Sequence, residues 1–406
     1  MAKPARAKPK PAAEPRGSAP EVFRAFLILG LTSFGGPVAH IGYFRNAFVE
    51  KRRWLDDRSF ADIVAMCQFL PGPASSQVGM AIGLLRAGVG GLIAAWVAFT
   101  APSAILLAAF AYGVAALGGA LGGGWLAGLK AAAVAVVAQA VINMARTLCV
   151  GSERATIGVA AAAFASLVPG TIGQILTLVL GGAAGLLFLR NEEAGKTSGV
   201  HLRVPVKRRF ALVSLAVFTA ILIFLPIVSA ATGSSALRLF DSFYRVGSLV
   251  FGGGHVVLPL LEAAVSGLIP HDQFLAGYGA AQAVPGPVFT FAAYLGVLMP
   301  MPPNGVLGAL IALIGIFFSS MLLVIGALPF WWQLRGAPLA RRALSGVNAA
   351  VVGLLGAVLW NPVIPLGIPN VRTLVIALAV YAAVEFWKIP PWAAVIAAAA
   401  AGFALL

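Results

Sequence analysis

The chain has 406 residues, of which 60% are hydrophobic and only 10% charged, with 28 Lys and Arg against 13 Asp and Glu. That leaves too little polar surface to coat a water-soluble globule, so lipid is the solvent the composition fits. The basic excess sits in an N-terminal tail, a central linker and short loops rather than on one face, which excludes a nucleic-acid surface. Cys67 and Cys149 both lie in apolar runs and support neither a disulfide framework nor a thiolate metal site.

Residues 1–20, rich in Ala, Pro and Lys, lack the apolar core of a signal peptide and read as a disordered basic tail held in the cytoplasm. Residues 21–189 form a first repeat with apolar segments at 22–49, 59–85, 90–117, 125–148 and 155–189, the last folding about Pro169-Gly170 into two short helices. Each can cross, or dip into, a hydrocarbon core about 30 Å thick. A basic, cytoplasmic linker at 190–209 follows, then one extra transmembrane helix at 210–230 and a second repeat at 238–406.

The repeat is written in the order of particular residues. At an offset of 217, Phe23, Phe26, Gly30, Phe34, Gly35 and Gly36 match Phe240, Phe243, Gly247, Phe251, Gly252 and Gly253. After a three-residue deletion, Phe60, Gln68, Pro71, Gly72 and Pro73 match Phe274, Gln282, Pro285, Gly286 and Pro287. A single extra helix between the halves would deliver the second one from the opposite face. The loops agree: Lys51, Arg52, Arg53 and Arg58 have no basic counterpart around Leu268 to Asp272, whereas the near-neutral loop at 117–124 corresponds to one bearing Arg335, Arg341 and Arg342. The expected fold is therefore an all-α polytopic membrane protein of two inverted-topology repeats with broken, re-entrant helices.

Broken helices release backbone groups that lipid cannot satisfy, so they survive where protein or a watery cavity receives them. Two breaks per half mark the expected substrate site: Gly35, Gly36 and Pro37 with Gln68, Pro71, Gly72, Pro73 and Ser75, and Gly252, Gly253 and Gly254 with Gln282, Pro285, Gly286, Pro287 and Thr290. Glycines let a ligand approach the backbone, resumed helices offer free N–H groups to an anion, and the glutamine amides donate or accept. Plain helix kinks for close packing are the alternative use of such residues. Arg24, Arg45, Arg86, Lys130 and Arg245 are candidates to attract an anion, although Arg45 and Arg86 could equally snorkel to the interface. His40, His255, Glu50 and Glu262 are candidate proton-coupling groups, each histidine being as readily a satisfied interior one. No motif for nucleotide hydrolysis, zinc chemistry or a nucleophile elbow occurs, so neither an enzyme nor a cofactor is expected.

The runs Phe34-Gly-Gly-Pro-Val-Ala-His40 and Gln68-Phe-Leu-Pro-Gly-Pro73, echoed by Phe251-Gly-Gly-Gly-His255 and Gln282-Ala-Val-Pro-Gly-Pro287, resemble the chromate ion transporter family over about residues 22–400, in its two-domain form. The resemblance implies chromate export across the bacterial cytoplasmic membrane and chromate resistance, driven by the proton gradient or the membrane potential. Sulfate or another oxyanion as substrate, a passive anion channel, and a membrane scaffold are the other readings, and a homo-oligomer is left open.

Overall fold

A computed structural model of the chain describes residues 17–117, 123–189, 206–251, 256–331 and 337–406. The N-terminal tail, most of the basic linker, and Gly252, Gly253, Gly254 and His255 lie outside the described residues. Among the described residues all regular structure is helical, and six helices are long and apolar enough to cross a membrane.

Helix α1 (Ala19–Thr32) starts at a capping box between Ser18 and Glu21 and buries Val22, Ala25, Phe26 and Leu29. It stops at Ser33, where Gly35 (φ 97°) and Gly36 (φ 76°) turn the backbone through the left-handed region before α2 (Gly36–Arg45) begins with Pro37 in its first turn. A π turn carries α2 on to Lys51. Asp56 then caps α3 (Asp57–Phe69) by accepting from the Ser59 N–H at 2.8 Å. Proline cannot extend the ladder, so Pro71-Gly72-Pro73 ends α3 and starts α4 (Ala74–Leu117).

Helix α4 is a hairpin in all but hydrogen-bond continuity. Ala87 and Gly88 leave helical geometry, and the arms 74–86 and 89–117 then pack so closely that a side chain on Gly83 would collide with the Gly91 carbonyl. Neither α1, α2, α3 nor the first arm of α4 has the roughly 20 residues a full crossing needs; each is a half-span element. The half closes with α5 (Gly124–Leu148), α6 (Ser152–Leu167) and α7 (Thr171–Phe188).

After α8 (Arg208–Thr232), whose Ile223, Phe224 and Ile227 face outward as lipid contacts, the plan repeats. Helices α9 (Ser235–Leu249), α10 (Val257–Val265) and α11 (His271–Ala283) lead to Pro285-Gly286-Pro287. A short turn enters α12 (Phe291–Val297), which packs on α13 (Gly305–Ala327) through a Gly296–Gly308 contact like that of Gly83 with Gly91. Helices α14 (Pro338–Val358), α15 (Val371–Glu385) and α16 (Pro391–Leu405) complete the second half.

The halves exchange their last hairpins. Helices α6 and α7 pack on α14 of the other half, and α15 and α16 pack on α5. The seams are glycine on glycine: Gly128 against Gly402, and Gly346 against Gly185, with too little room for a Cβ at any of the four. These pairs are equivalent under the repeat, so the two halves interlock about a pseudo-twofold relation.

The Asp56 cap sits in a loop outside the spans and sets a measurable expectation. The Ser59 N–H holds its carboxyl below the usual carboxylate range. Its capping contribution is therefore complete above the unfolded-state pKa and lost as pH falls through the lower folded-state value. Asp56→Ala is expected to cost about 1 kcal/mol at neutral pH, read as a lower melting temperature in detergent, with the difference from wild type shrinking in acid.

Candidate functional site

Each Pro-Gly-Pro turn bonds the helix end that precedes the other half's Phe-Gly-Gly run. The Gly72 N–H donates to the Val250 carbonyl at 2.6 Å, and the Gly286 N–H donates to the Ser33 carbonyl at 2.8 Å. Ser33 and Val250 are equivalent residues at the ends of α1 and α9, and Gly72 and Gly286 are equivalent residues in the two Pro-Gly-Pro turns. Each half thus supplies the partner for a backbone group that the other half's break sets free, which is how irregular backbone is tolerated at membrane depth. Ser103 and Ser320, again equivalent, stand against Gly286 and Gly72 respectively.

The first half adds buried polar side chains at both crossings, His40 at Ser33–Gly286 and Gln77 at Gly72–Val250. His40 is fully buried, with Nε2 3.2 Å from the Ser33 carbonyl and Nδ1 3.3 Å from Ser75 Oγ. The carbonyl only accepts, so Nε2 carries a proton and donates to it, while Nδ1 pairs with the Ser75 hydroxyl, and both ring nitrogens are engaged. Gln77, also fully buried, donates from Nε2 to the Pro71 carbonyl at 2.6 Å and to Ser320 Oγ of the other half at 3.2 Å. Ser33 Oγ, Ser76 Oγ, Gln77 Oε1 and Thr100 Oγ1 have no hydrogen-bond partner among the described residues.

Of the residues singled out from sequence, Pro73, Ser75, Pro285, Pro287 and Thr290 are buried in the crossing, with Thr290 Oγ1 donating to the Pro287 carbonyl at 2.7 Å. Gly35 and Gly36 border open space at the start of α2, where a Cβ on Gly36 would meet nothing within 4 Å. The two glutamines part ways. Gln68 is exposed on α3, while Gln282 is half-buried with an amide nitrogen that lacks a partner.

The charges are elsewhere. Arg45 bridges Glu50 at 2.5 Å and Asp57 at 2.7 Å, so Glu50 is engaged in a loop pair. Arg86 holds Glu21 at 2.9 Å and stacks over Trp54, Arg245 pairs with Asp241 one turn away, and Glu262 faces His271 at 3.2 Å. Arg24 is exposed at a surface groove shared with Arg52 and Trp54. Lys130 of α5 bonds Asp272 of α11 at 2.7 Å, tying the halves together at their edge. Lys130→Asn, which copies the residue at the equivalent position 348, is expected to change transport less than about threefold, since a part-exposed pair contributes at most about 1 kcal/mol. A larger loss in initial rate would place the ammonium in the substrate path.

Sequence reading did not find Gln77, Thr100, Ser103 or Ser320. Their signal was the Ser103–Ser320 identity at the repeat offset of 217, hidden among many small residues. Among the described residues no group of His, Cys, Asp and Glu could hold a metal ion.

A family model described as chromate transporter matches the chain twice, over residues 20–186 and 237–403. A chromate transport protein of Pseudomonas aeruginosa is 29% identical over 85% of this chain and 81% of its own length. One from Cupriavidus metallidurans is 26% identical over 82% and 80%, and an uncharacterized transporter of Methanocaldococcus jannaschii is 25% identical over 84% and 83%. No solved structure matches.

Proposed function

The chain belongs to the chromate transporter family, and from that premise we propose that it carries chromate out of the cytoplasm as a secondary active transporter coupled to an ion gradient. It sits in the cytoplasmic membrane with its N-terminus inside, and its repeats run in opposite senses, so that breaks entering from the two faces meet at one depth. The observation that carries this reading is the pair of reciprocal bonds, Gly72 to Val250 and Gly286 to Ser33: a substrate at the crossing touches both halves, and a rocking of one against the other changes which face it sees.

The oxyanion is held by dipoles rather than by a fixed charge. The start of α2 at Gly35 and Gly36 borders open space and directs the positive end of a helix toward it, and four of the five basic candidates are engaged by carboxylates. A neutral cradle binds a dianion firmly enough to select it and weakly enough to release it on the far side. Everted membrane vesicles from cells expressing the protein should accumulate chromate against its gradient when energised. Accumulation of sulfate without chromate would sink the substrate assignment, and equilibration without concentration would make the protein a channel.

A further inference from the structure

A groove of about 430 Å3 opens at the start of α1, between Ser18, Glu21, Arg24 and Ile28 of that segment and Arg52 and Trp54 of the loop after α2. Stacked rings hold the loop in place. Trp54 lies on Phe48 at 4.8 Å, Phe48 lies on Phe26 of α1 at 4.8 Å, and the Trp54 N–H donates to the Phe48 carbonyl at 2.8 Å. Arg86 takes Glu21 with two bonds, at 2.9 and 3.3 Å, and stands 4.9 Å over the Trp54 ring, with Arg52 at 5.9 Å. Glu21, the acid that lines the groove, is therefore already neutralised. Arg24 and Arg52 make no ion pair among the described residues, so two positive charges are left in excess.

The second half has a groove at the same place and charges it differently. At the offset of 217, Ser18, Glu21, Arg24 and Ala25 correspond to Ser235, Arg238, Asp241 and Ser242. Ser235, Arg238 and Ser242 line a cavity of about 240 Å3 at the start of α9, together with Leu268 of the loop after α10. Arg24 is thus exchanged for an acid, and that acid, Asp241, pairs with Arg245. The stretch 265–269, in the place of the loop that carries Arg52 and Trp54, has no charged residue. Arg238 is the one charged side chain lining this cavity among the described residues, and its Nη2 donates to the Gly233 carbonyl at 3.2 Å. The repeat therefore builds a groove in both halves, and only the first makes it basic.

The excess charge points to an anion. Guanidinium groups on two facing elements suit the several oxygens of an oxyanion, and a cleft lined by one sign of charge concentrates ions of the other. Two uncompensated charges match a dianion such as chromate, whereas the phosphodiester of a lipid headgroup carries one. The groove is exposed, so it can take the ion with its water and let it go again. The cradle at α2 offers dipoles but no fixed charge with which to gather a dilute dianion, and this groove supplies that charge. We propose that Arg24 and Arg52 form an oxyanion-capture site at the mouth beside α1, taking chromate from the cytoplasm ahead of the crossing. The groove of the second half, without the excess charge, lets the ion leave on the other face. The cargo and the face rest on the transporter reading above; the oxyanion binding does not.

Initial rates of chromate uptake into everted vesicles, which present the cytoplasmic face, test the transport role. Arg24→Gln and Arg52→Gln should each raise KM by about fivefold or more while lowering kcat less than about twofold, and Arg24→Lys should keep most of the wild-type KM. The wild-type KM should climb with ionic strength, and that of the double Gln variant should not. A fall in kcat at unchanged KM makes the arginines structural and overturns the site, as does an equal rise in KM for Arg238→Gln. Binding is read apart from transport, by calorimetric titration of chromate and of sulfate into the full-length protein in nanodiscs of phosphatidylcholine alone. The tightest binding seen in the wild type should weaken by about tenfold or more in the double variant, and an unchanged isotherm overturns the capture site. An effect of the substitutions that appears only with phosphatidylglycerol in the disc assigns the arginines to lipid phosphate and overturns it too. Oxyanion binding lost in the double variant, with no chromate uptake by the wild type, condemns the chromate assignment and leaves the oxyanion site standing.

Discussion

Gly72→Ala is expected to reduce chromate transport at least a hundredfold. Gly72 has φ 118°, a conformation that costs a non-glycine residue of order 1–3 kcal/mol. A Cβ there would also collide with Ser320 Oγ and stand 2.6 Å from Gln77 Nε2. Both neighbours belong to the crossing, so relief displaces the Ser320 hydroxyl and the Gln77 amide that join the halves there. Gly286→Ala carries the same backbone strain at φ 90°, but its nearest neighbours are Ser103 Oγ at 3.0 Å and the Phe99 carbonyl at 3.2 Å. Its loss should be smaller than that of Gly72→Ala, and the order of the two is the diagnostic. Initial rates in vesicles, normalised to protein in the membrane, supply the measurement; equal activity of Gly72→Ala and wild type would remove the crossing from the transport path. Ser320→Gly should not rescue Gly72→Ala, because the strained dihedral and the Gln77 contact both remain.

The second large effect separates two glutamines nine positions apart. Gln77→Leu removes the amide that joins the Pro71 carbonyl to Ser320 of the other half, leaving a buried carbonyl without its donor. An unsatisfied buried group costs about 1–3 kcal/mol, concentrated here in the contact between halves, and transport should fall at least tenfold. Gln68→Ala, on the exposed face of α3, should stay within about twofold. The reverse order would return the site to the exposed side of α3.

That contrast shows what a sequence of this composition exposes and what it hides. The breaks are legible because glycine and proline carry backbone consequences whatever surrounds them, and the offset of the two halves is legible because Phe, Gly and Pro recur in order. The face a helix buries is not. In a water-soluble protein the polar face identifies itself, but Gln68 and Gln77 both lie in apolar helices that lipid and protein cover alike, and only packing tells which is inside. The same holds for the arginines: Arg86 reads as a lone cation near a break, and its partner Glu21 is 65 residues away in sequence. The exchange of terminal hairpins is carried by glycines such as Gly128 and Gly402, which give no sign of their partner until the helices meet.

The asymmetry between halves was also partly visible. Under the offset of 217, His40 faces Val257. Ser33, Gln77 and Thr100 share the asymmetry, with Val250, Phe291 and Phe317 at the corresponding positions.

The reading above has the two halves running in opposite senses, so that breaks entered from opposite faces meet. The loop after α2 and its counterpart after α10 should then lie on opposite sides of the membrane. In a variant with Cys67 and Cys149 replaced, single cysteines in place of the exposed Lys51 and Ser266 can be labelled with a membrane-impermeant maleimide in intact cells and in everted vesicles. Position 266 should be labelled from outside the cell and position 51 only after eversion. Labelling of both from the same side would contradict it.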